Sequence, residues 1–226
     1  MDSSLDPMRL YEEQILPRLS DLAMRDSELA RIRARVAAGL AGEVLEIGFG
    51  SGLNVPHYSA AVTRVLAADP ATVGRRLAAK RVAASFVPVE YIGLDGQRLP
   101  LDSGSVDHVL CTWTLCTIPD VERALAEIHR VLRPGGAMHF AEHGLSPSAK
   151  VANWQNRLTP LQRRVFGGCH LNRPIDRSIT SSGLVLIKMA NYYTKGLKPF
   201  GYTFEGIAAK PLARRAPLDP KEGLGT

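Results

Sequence analysis

The sequence predicts an α/β protein in which helices cover both faces of a doubly wound, mostly parallel sheet. Apolar runs alternate with segments of helical period along most of the chain, which implies right-handed crossovers between parallel strands. A glycine-rich turn, Gly48-Phe-Gly-Ser-Gly52, follows the first apolar run, and such a turn lets the backbone approach a nucleotide closely. With 226 residues the chain can form one such domain with a good core, but it is short for two.

The N-terminal segment, residues 1–42, is predicted to be a helical cover that precedes the domain proper. Residues 8–40 have helical character, with a break or bend expected near Pro17. Apolar residues recur at helical spacing in its second half, at Leu29, Ile32, Val36 and Leu40. Two interpretations remain open for this segment, one as a simple cover of the sheet and the other as a lid over the ligand.

Residues 43–210 carry the alternating pattern of the main domain. Strands are predicted at 44–47, 62–69, 87–92, 106–111, 137–142, 184–190 and 202–209. Helices are predicted at 71–84, 121–132 and 146–166, with a short one around Pro56. A further helix is expected to be capped by Asn172, to begin at Pro174 and to end at Gly183. Residues 211–226 contain few large apolar groups and are predicted to be a disordered tail.

The composition restricts the kinds of partner that the protein can have. The net charge of +6 is spread along the chain without interleaved aromatic residues, so nucleic-acid binding is not expected. No run of about 18 apolar residues is present, which argues against integral membrane association. The N-terminus lacks a secretory signal, and Cys111, Cys116 and Cys169 have no regular spacing, so we expect reduced thiols and a cytoplasmic location. The oligomeric state is not indicated.

The spacing within the glycine turn favours one class of nucleotide. A dinucleotide fingerprint is G-x-G-x-x-G, whereas this turn reads G-x-G-x-G and has Leu at position 53. Glu46 also ends the preceding strand, where a pyrophosphate would bring a second negative charge close to it. A ligand with positive groups and little phosphate fits better, and S-adenosylmethionine carries an ammonium and a sulfonium. A dinucleotide enzyme and a purely structural turn remain as alternatives.

Further motifs follow the turn in order and make the pattern specific. Asp69 ends the second strand 17 residues after Gly52, near the interval at which such folds place a carboxylate on ribose hydroxyls. Together with the turn, the ordered set over residues 43–142 resembles the class I S-adenosylmethionine-dependent methyltransferases. The matching stretches are Leu45-Glu-Ile-Gly-Phe-Gly-Ser-Gly52, Asp69-Pro70, Asp95 with Leu99-Pro100, Val106-Asp107, Thr117-Ile-Pro-Asp120 and Val131-Leu-Arg-Pro-Gly-Gly136. The resemblance implies a Rossmann-like sheet of seven strands in which the last-inserted strand is antiparallel.

The resemblance also implies how the first motif binds the cofactor. In such enzymes the glycine turn passes under the methionine part of S-adenosylmethionine, and here the matching glycines are Gly48, Gly50 and Gly52. The matching acid, Glu46, would help to hold the ammonium group. The alternative for this acid and the two below is an ordinary surface carboxylate.

Three later strand ends would bind the rest of the cofactor. By the same resemblance, Asp69 would accept from the ribose hydroxyls, and Asp95 would accept from the adenine amino group with Gly96 beside it. Thr112, at the mouth of the fourth strand, would border the methionine and the transferred methyl group.

A narrower resemblance concerns the methyl acceptor. The chain is similar over roughly residues 11–209 to the methyltransferase-like thiol S-methyltransferases and their bacterial relatives. The stretches that carry it are Glu46-Ile-Gly-Phe-Gly-Ser-Gly-Leu-Asn54, Trp113-Thr-Leu-Cys-Thr-Ile118, Glu142-His-Gly144 and Gly168-Cys-His-Leu-Asn-Arg173. This resemblance implies a small thiol as acceptor, with an amine or phospholipid head group as the alternative. Animal members begin with a hydrophobic membrane-associated segment that this sequence lacks, which weakens the inference to lipid.

Methyl transfer to a thiol requires little catalytic help. A thiol with a pKa of about 8.5 already offers some thiolate at neutral pH. His143 follows the fifth strand and is the first candidate to accept the proton, although a structural role is equally open. Cys116 is expected to line the acceptor pocket. A metal site from Cys116, His143, Cys169 and His170 is conceivable, but the paired ligand spacing of such sites is missing, so no metal is expected. A cofactor-binding module without catalysis is the remaining alternative.

Overall fold

The computed structural model describes residues 10–93 and 95–212 of the chain. These residues form a seven-stranded sheet with helices on both faces. The strands are β1 Gly42–Ile47, β2 Val62–Ala68, β3 Val89–Gly93, β4 Val106–Thr112, β5 Leu132–His143, β6 Val185–Tyr193 and β7 Tyr202–Ala209. Most of the tail predicted to be disordered, from residue 213 onward, lies outside the described residues, as do residues 1–9.

The order of the strands confirms the predicted fold class. Neighbouring strands follow the sequence β3-β2-β1-β4-β5-β7-β6, and β7 runs antiparallel to both of its neighbours. The pairs of β1 with β2 and with β4 are parallel. The chain therefore winds outward from β1 in one direction and then from β4 in the other. Ligands of open α/β sheets bind in the crevice at this point of reversal, beyond the carboxyl ends of the strands.

Helices of ordinary length connect and cover the strands. They are α1 Leu16–Ala23, α2 Ser27–Ala37, α3 Thr72–Ala83, α4 Val121–Val131, α5 Ala149–Val165, α6 Ile175–Ser181 and α7 Lys198–Gly201. A π-helical turn, Tyr11–Ile15, precedes α1, and a 3-10 turn, Val55–His57, follows the glycine turn. Within the described ranges, no helix combines the length and the apolar character that a membrane crossing needs.

The two faces of the sheet have separate cores, because successive strand residues point to opposite sides. In β1, Leu45 belongs to the core that is shared with α4 and α6. Val44 belongs to the core on the other face, which is shared with α2 and α3. The apolar stripe of α2 includes Ile32 and Val36, both buried against this second face. The periodicity in the N-terminal segment thus corresponds to packing on the sheet.

One local prediction holds in part and another was wrong. The π-helical turn changes to α1 between Ile15 and Leu16, directly before Pro17, which lies in the first turn of α1 where its missing N–H is harmless. The helical segment is interrupted fully only at residues 24–26, and the side chain of Asp26 accepts from the amide of Glu28 to begin α2. Asn172 does not cap α6, because its Nδ2 donates to Asn156 Oδ1, 2.9 Å away.

The end of α4 and the start of β5 also differ from the prediction. The Arg133-Pro-Gly-Gly136 sequence ends the helix as expected, but the strand already begins at Leu132. The pairing register between β4 and β5 shifts between Val106 and His108, so the prolines and glycines are accommodated as an irregularity within the strand.

Candidate active site

A pocket of about 670 Å³ opens at the point where the strand order reverses. Its walls come from the glycine turn, from the residues after β2, β4 and β5, from α1, and from the end of α5 with the loop that follows it. All of the predicted site residues except Glu46 and Gly52 line it. A volume of this size is typical of a site for a cofactor together with a small molecule.

The glycine turn is built so that side chains cannot replace its glycines. Gly48, Gly50 and Gly52 have φ values of 76°, 52° and 72°, in the left-handed region that favours glycine. A Cβ on Gly48 would lie 2.0 Å from Thr114 Oγ1. On the helix opposite, a Cβ on Gly74 would lie 2.9 Å from the carbonyl oxygen of Gly50. The turn is therefore packed closely between α3 and the residues after β4.

Asp69 joins this turn to the end of β2. Its Oδ2 accepts from the amide of Gly50 at 2.8 Å, and its Oδ1 accepts from the amide of Ala71 at 2.7 Å. Burial raises the pKa of Asp69, while the two amides act in the opposite direction. The carboxylate is thus held in one orientation at the wall of the pocket, where it could accept from two ribose hydroxyls.

Asp95 and Gly96 border the pocket after β3. Asp95 is exposed at the rim, and its Oδ1 accepts from the amide and from Nε2 of Gln97 at 2.8 and 3.0 Å. These bonds lower the pKa of Asp95. A Cβ on Gly96 would approach Ile47 Cγ2 to 2.7 Å, so glycine is required for the close packing here. Both residues lie where an adenine could be bound.

Glu46 is placed differently from the prediction. It is 1% exposed and does not line the pocket, because it points to the face of the sheet covered by α2. Its Oε1 accepts from Asn54 Nδ2 at 2.9 Å, and its Oε2 accepts from the hydroxyl of Tyr58. Direct contact between Glu46 and the ammonium group is therefore not supported by this geometry.

Asn54 takes the position at the pocket that the sequence assigned to Glu46. It lines the pocket, and its Nδ2 also donates to Thr112 Oγ1 at 2.9 Å. Its Oδ1 is buried and has no hydrogen-bond partner among the described residues. A buried acceptor without a donor is costly, and an ammonium group would supply the donor. Asn54 could thus contact the cofactor, while Glu46 holds the Asn54 side chain in place by accepting from its Nδ2.

A buried cation balances Glu46. Burial raises the pKa of Glu46 to about 7 and lowers that of Arg33 to about 10. The Arg33 guanidinium lies 4.7 Å above the ring of Trp113 and donates to the Met24 carbonyl at 3.0 Å. Arg33 therefore remains charged and connects the N-terminal helices to the turn after β4.

The turn after β4, residues 113–118, is strained, and Glu142 stabilises it by hydrogen bonds to its backbone. Among the described residues other than glycine, only Trp113 has a positive φ, at 52°. Glu142 is fully buried, and its two oxygens accept from the amides of Thr114 and Cys116 at 2.9 and 3.1 Å. Burial raises the pKa of Glu142 to about 7. The guanidinium of Arg173 donates to the carbonyl of Leu115 and closes the turn from the other side.

Two cysteines and one histidine meet at the pocket wall beside this turn. Cys169 Sγ lies 3.8 Å from Cys116 Sγ and 3.8 Å from His143 Nδ1, and all three residues line the pocket. The hydrogen bond between the thiols lowers the pKa of Cys169 to about 5, and it raises that of Cys116 together with burial. The structure thus brings together the predicted residues Cys116 and His143, whereas His170 turns to the Cys116 carbonyl at 3.2 Å.

Residues 45–140 match the family model described as a methyltransferase domain. The chain is 30% identical to the human thiol S-methyltransferase TMT1A, in an alignment that covers 80% of this chain and 72% of that protein. The chain belongs to the class I S-adenosylmethionine-dependent methyltransferases. S-adenosylmethionine is therefore its cofactor. This methyltransferase is also 25% identical to the phosphatidylethanolamine N-methyltransferase of Cereibacter sphaeroides, over 85% of this chain and 94% of that protein.

A solved structure of the same fold contains the cofactor. Phosphoethanolamine N-methyltransferase 2 of Haemonchus contortus, in complex with S-adenosyl-L-methionine, superposes with a TM-score of 0.66 at 14% identity. The superposition covers 93% of this methyltransferase and 61% of that chain. At this identity the likeness concerns the fold alone.

The residues that sequence reasoning missed share a signal that could have been noticed. Glu142 lies near the end of a strand, as Glu46 and Asp69 do. A buried carboxylate at such a position needs donors, and the backbone amides of a neighbouring turn can supply them. Asn54 directly follows the glycine turn, where a polar residue among apolar neighbours stands out. The orientation of either side chain could not be read from these signals.

We expect the affinity of this methyltransferase for S-adenosylhomocysteine to depend on pH through Glu46. Its pKa of about 7 means that the carboxyl group must lose a proton before it can attract the ammonium. Binding should therefore tighten as pH rises, by about 10-fold between roughly pH 6 and 8 for one linked proton. Calorimetric titration across this range measures the effect.

Matched substitutions on one strand test the assignment to Glu46. Glu46→Gln should bind more weakly at high pH and lose the dependence. Glu43→Gln, near the start of the same strand, where Glu43 pairs with Arg64 away from the pocket, should retain it. An identical pH dependence in both variants would rule out Glu46 as its origin.

Proposed function

We propose that this methyltransferase transfers a methyl group from S-adenosylmethionine to the sulfur of a small thiol. The observation that carries the proposal is the cluster of Cys116, His143 and Cys169 at the pocket wall, beyond the residues proposed to hold the cofactor. The 30% sequence identity to a thiol S-methyltransferase, over 80% of this chain, supports it.

The chemistry of the cluster suits a thiol. The acceptor sulfur attacks the methyl carbon, a new carbon–sulfur bond forms, and the old bond to the sulfonium breaks to release S-adenosylhomocysteine. The thiol proton must leave, and the imidazole of His143, which lines the pocket, could accept it. Because a thiol ionises readily, no stronger base is required. Catalysis then consists mainly of aligning the two sulfurs and excluding water.

The remaining walls favour a small apolar molecule. Trp113, Ile118 and Phe166 line the pocket together with Leu16 and Met24 of the N-terminal segment. A short alkyl or aryl thiol could pack against these side chains while its sulfur faces the cofactor. The N-terminal helices thus serve as both a cover of the sheet and a wall of the acceptor site.

A panel of acceptors tests the proposal. With labelled S-adenosylmethionine, we expect transfer to small alkyl thiols and none to amines or phenols of matched size. His143→Gln should lower kcat for thiols by about 100-fold if it takes the proton, while cofactor affinity stays unchanged. Asp102→Ala, at an exposed position away from the pocket, is the control. Transfer to amines or phenols but not to thiols would overturn the proposal.

The second candidate is N-methylation of an amine or of a phospholipid head group. Its support is the 25% sequence identity to the phosphatidylethanolamine N-methyltransferase, in an alignment that covers 94% of that protein. Vesicles that contain phosphatidylethanolamine distinguish the two candidates, because a lipid substrate requires membrane association. Vesicle binding with methylation of the head group would favour this candidate. A non-catalytic module is excluded by transfer to any acceptor.

The thiols also suggest where the enzyme works. Cys116 and Cys169 lie with their sulfurs 3.8 Å apart at the pocket wall. Thiols this close remain available at the pocket only where the compartment keeps them reduced. We propose that the enzyme works in the cytoplasm and acts on a soluble small-molecule acceptor. Fractionation of cells that express the tagged chain would test this location.

A further inference from the structure

The cluster at the acceptor end of the pocket has the composition of an open metal site. One ligand atom from each of Cys116, His143 and Cys169 lies within 4.8 Å of the other two. Catalytic zinc sites contain three protein ligands and a fourth position for water or substrate, and two cysteines with one histidine are one of their known sets. Structural zinc sites instead have four protein ligands.

The distances within the cluster agree with tetrahedral coordination. With Zn–S bonds of about 2.3 Å and Zn–N bonds of about 2.0 Å, the S–S edge is about 3.8 Å and the S–N edge about 3.5 Å. The Cys116–Cys169 sulfur distance is 3.8 Å, and the distance from Cys169 Sγ to His143 Nδ1 is also 3.8 Å. Two of the three edges thus require almost no movement of the side chains.

We propose that Cys116, His143 and Cys169 bind Zn²⁺ or a similarly thiophilic ion, whose fourth coordination position faces the pocket and takes the acceptor thiol as thiolate. The first half of this proposal, that the three residues bind a metal ion, stands on the cluster alone. The second half, that the acceptor thiol coordinates this ion, rests on the proposed function, since only a thiol acceptor would bind the ion in this way.

The backbone around the three residues holds them in place. The amide of Cys116 donates to Glu142, and the carbonyl of Cys116 accepts from the amide of His170 at 2.7 Å. A Cβ on Gly168 would lie 2.9 Å from the carbonyl oxygen of Thr117, so the loop after α5 packs directly on the turn after β4. The two segments that carry the cysteine ligands are thus held in place by neighbouring groups, as metal sites require.

Charge balance favours a divalent ion. Two thiolates this close repel each other unless a cation lies between them. A divalent ion with two thiolates and a neutral imidazole is electrically neutral, which suits a site whose cysteines are buried.

The ion would change how the acceptor loses its proton. A thiol that coordinates zinc is deprotonated by the metal, so its proton leaves to solvent as the Zn–S bond forms. With the ion bound, His143 is a ligand and no longer needs to accept this proton. Its Nδ1, the atom that faces Cys169, would then carry the metal bond.

Metal binding by the purified chain tests the first half. With a phosphine reductant present, we expect one equivalent of Co²⁺ to give cysteinate charge-transfer absorption and the visible bands of tetrahedral coordination. Zn²⁺ should displace it. Cys169→Ser, Cys116→Ser and His143→Gln should each weaken Zn²⁺ binding by more than about 100-fold against a chromogenic chelator.

A histidine elsewhere on the domain is the matched control. His129→Gln should retain full Zn²⁺ affinity, because His129 lies on α4 and belongs neither to the pocket wall nor to the cluster. Circular dichroism of each variant separates loss of binding from loss of folding. Octahedral Co²⁺ spectra, or equal Zn²⁺ affinity in the wild type and all three cluster variants, would overturn the proposal. A wild-type chain that binds no Zn²⁺ with its thiols reduced would also overturn it.

Addition of an acceptor tests the second half. A thiol that is methylated should shift the Co²⁺ charge-transfer band, whereas the alcohol of the same shape should not. If the enzyme methylates thiols but binds no metal, the metal proposal fails and the proposed function stands. If it binds the metal but methylates no thiol, the proposed acceptor fails and the ion site stands.

Discussion

Replacing Asp69 with alanine is expected to weaken binding of S-adenosylhomocysteine by about 100-fold, since hydrogen bonds to a charged group contribute roughly 1.5 to 3 kcal/mol each. The carboxylate is fixed by the amides of Gly50 and Ala71, and it is proposed to bind both ribose hydroxyls. Its loss removes the ribose contacts and also the bond that holds the glycine turn. Calorimetric titration of the purified variant measures the change in Kd.

Two further variants make this result specific. Asp69→Asn retains the shape and one acceptor oxygen, so it should fall between the wild type and Asp69→Ala. Asp102→Ala removes an exposed carboxylate away from the pocket and should leave Kd unchanged. Cofactor affinity in Asp69→Ala within about 3-fold of the wild type would contradict the assigned role, since that corresponds to less than one hydrogen bond.

Replacing Glu142 with alanine is expected to lower the free energy of unfolding by about 3 to 5 kcal/mol, the range observed when one partner of a buried charged network is removed. The carboxyl group is fully buried and accepts from the amides of Thr114 and Cys116. Without it, these amides have no partner, and Arg173 loses one of the acidic groups that act against the lowering of its pKa by burial. Urea unfolding at neutral pH gives the difference.

The exposed Glu90 provides the control for this measurement. It is ion-paired with Arg64 at the surface of β3, and Glu90→Ala should change stability by less than about 1 kcal/mol. Glu142→Gln preserves the side-chain volume, but its NH₂ group would face one of the two backbone amides, and two donors cannot bond each other. The loss of stability should therefore fall between those of Glu90→Ala and Glu142→Ala. If Glu142→Ala were no more destabilised than Glu90→Ala, the turn after β4 would not depend on this carboxylate.

The cofactor half of the pocket was the more predictable half. Each of its motifs consists of a strand and the few residues that follow, so the chemistry and the element that positions it are adjacent in sequence. Parallel strands then bring their carboxyl ends to one edge of the sheet, which places Asp69, Asp95 and Thr112 around a common pocket. Such positions follow from the order of the elements without knowledge of the packing.

Glu46 shows what this reasoning could not predict, namely which side chains lie between a strand end and the pocket. The alternation of side chains along a strand puts Val44 and Glu46 on the same face, but the sequence does not reveal which groups cover that face. In the folded protein, Tyr58 and Asn54 cover the carboxylate, and Asn54 alone of these three lines the pocket. Which of these residues faces the pocket was therefore decided by the packing of the 3-10 turn that follows the glycine turn.

The sequence by itself determined the fold class from local periodicity. Its short motifs, through their resemblance to a known family, determined the antiparallel last-inserted strand and the cofactor. Only the tertiary structure decided what stands at the acceptor end. Cys116 and Cys169 are 53 residues apart, and they meet because the loop after α5 packs on the turn after β4, which Glu142 holds in a strained conformation. Contacts between two irregular segments follow from the summed packing of the whole domain, so the sequence could name Cys116, His143 and Cys169 as candidates but could not give the distances between them.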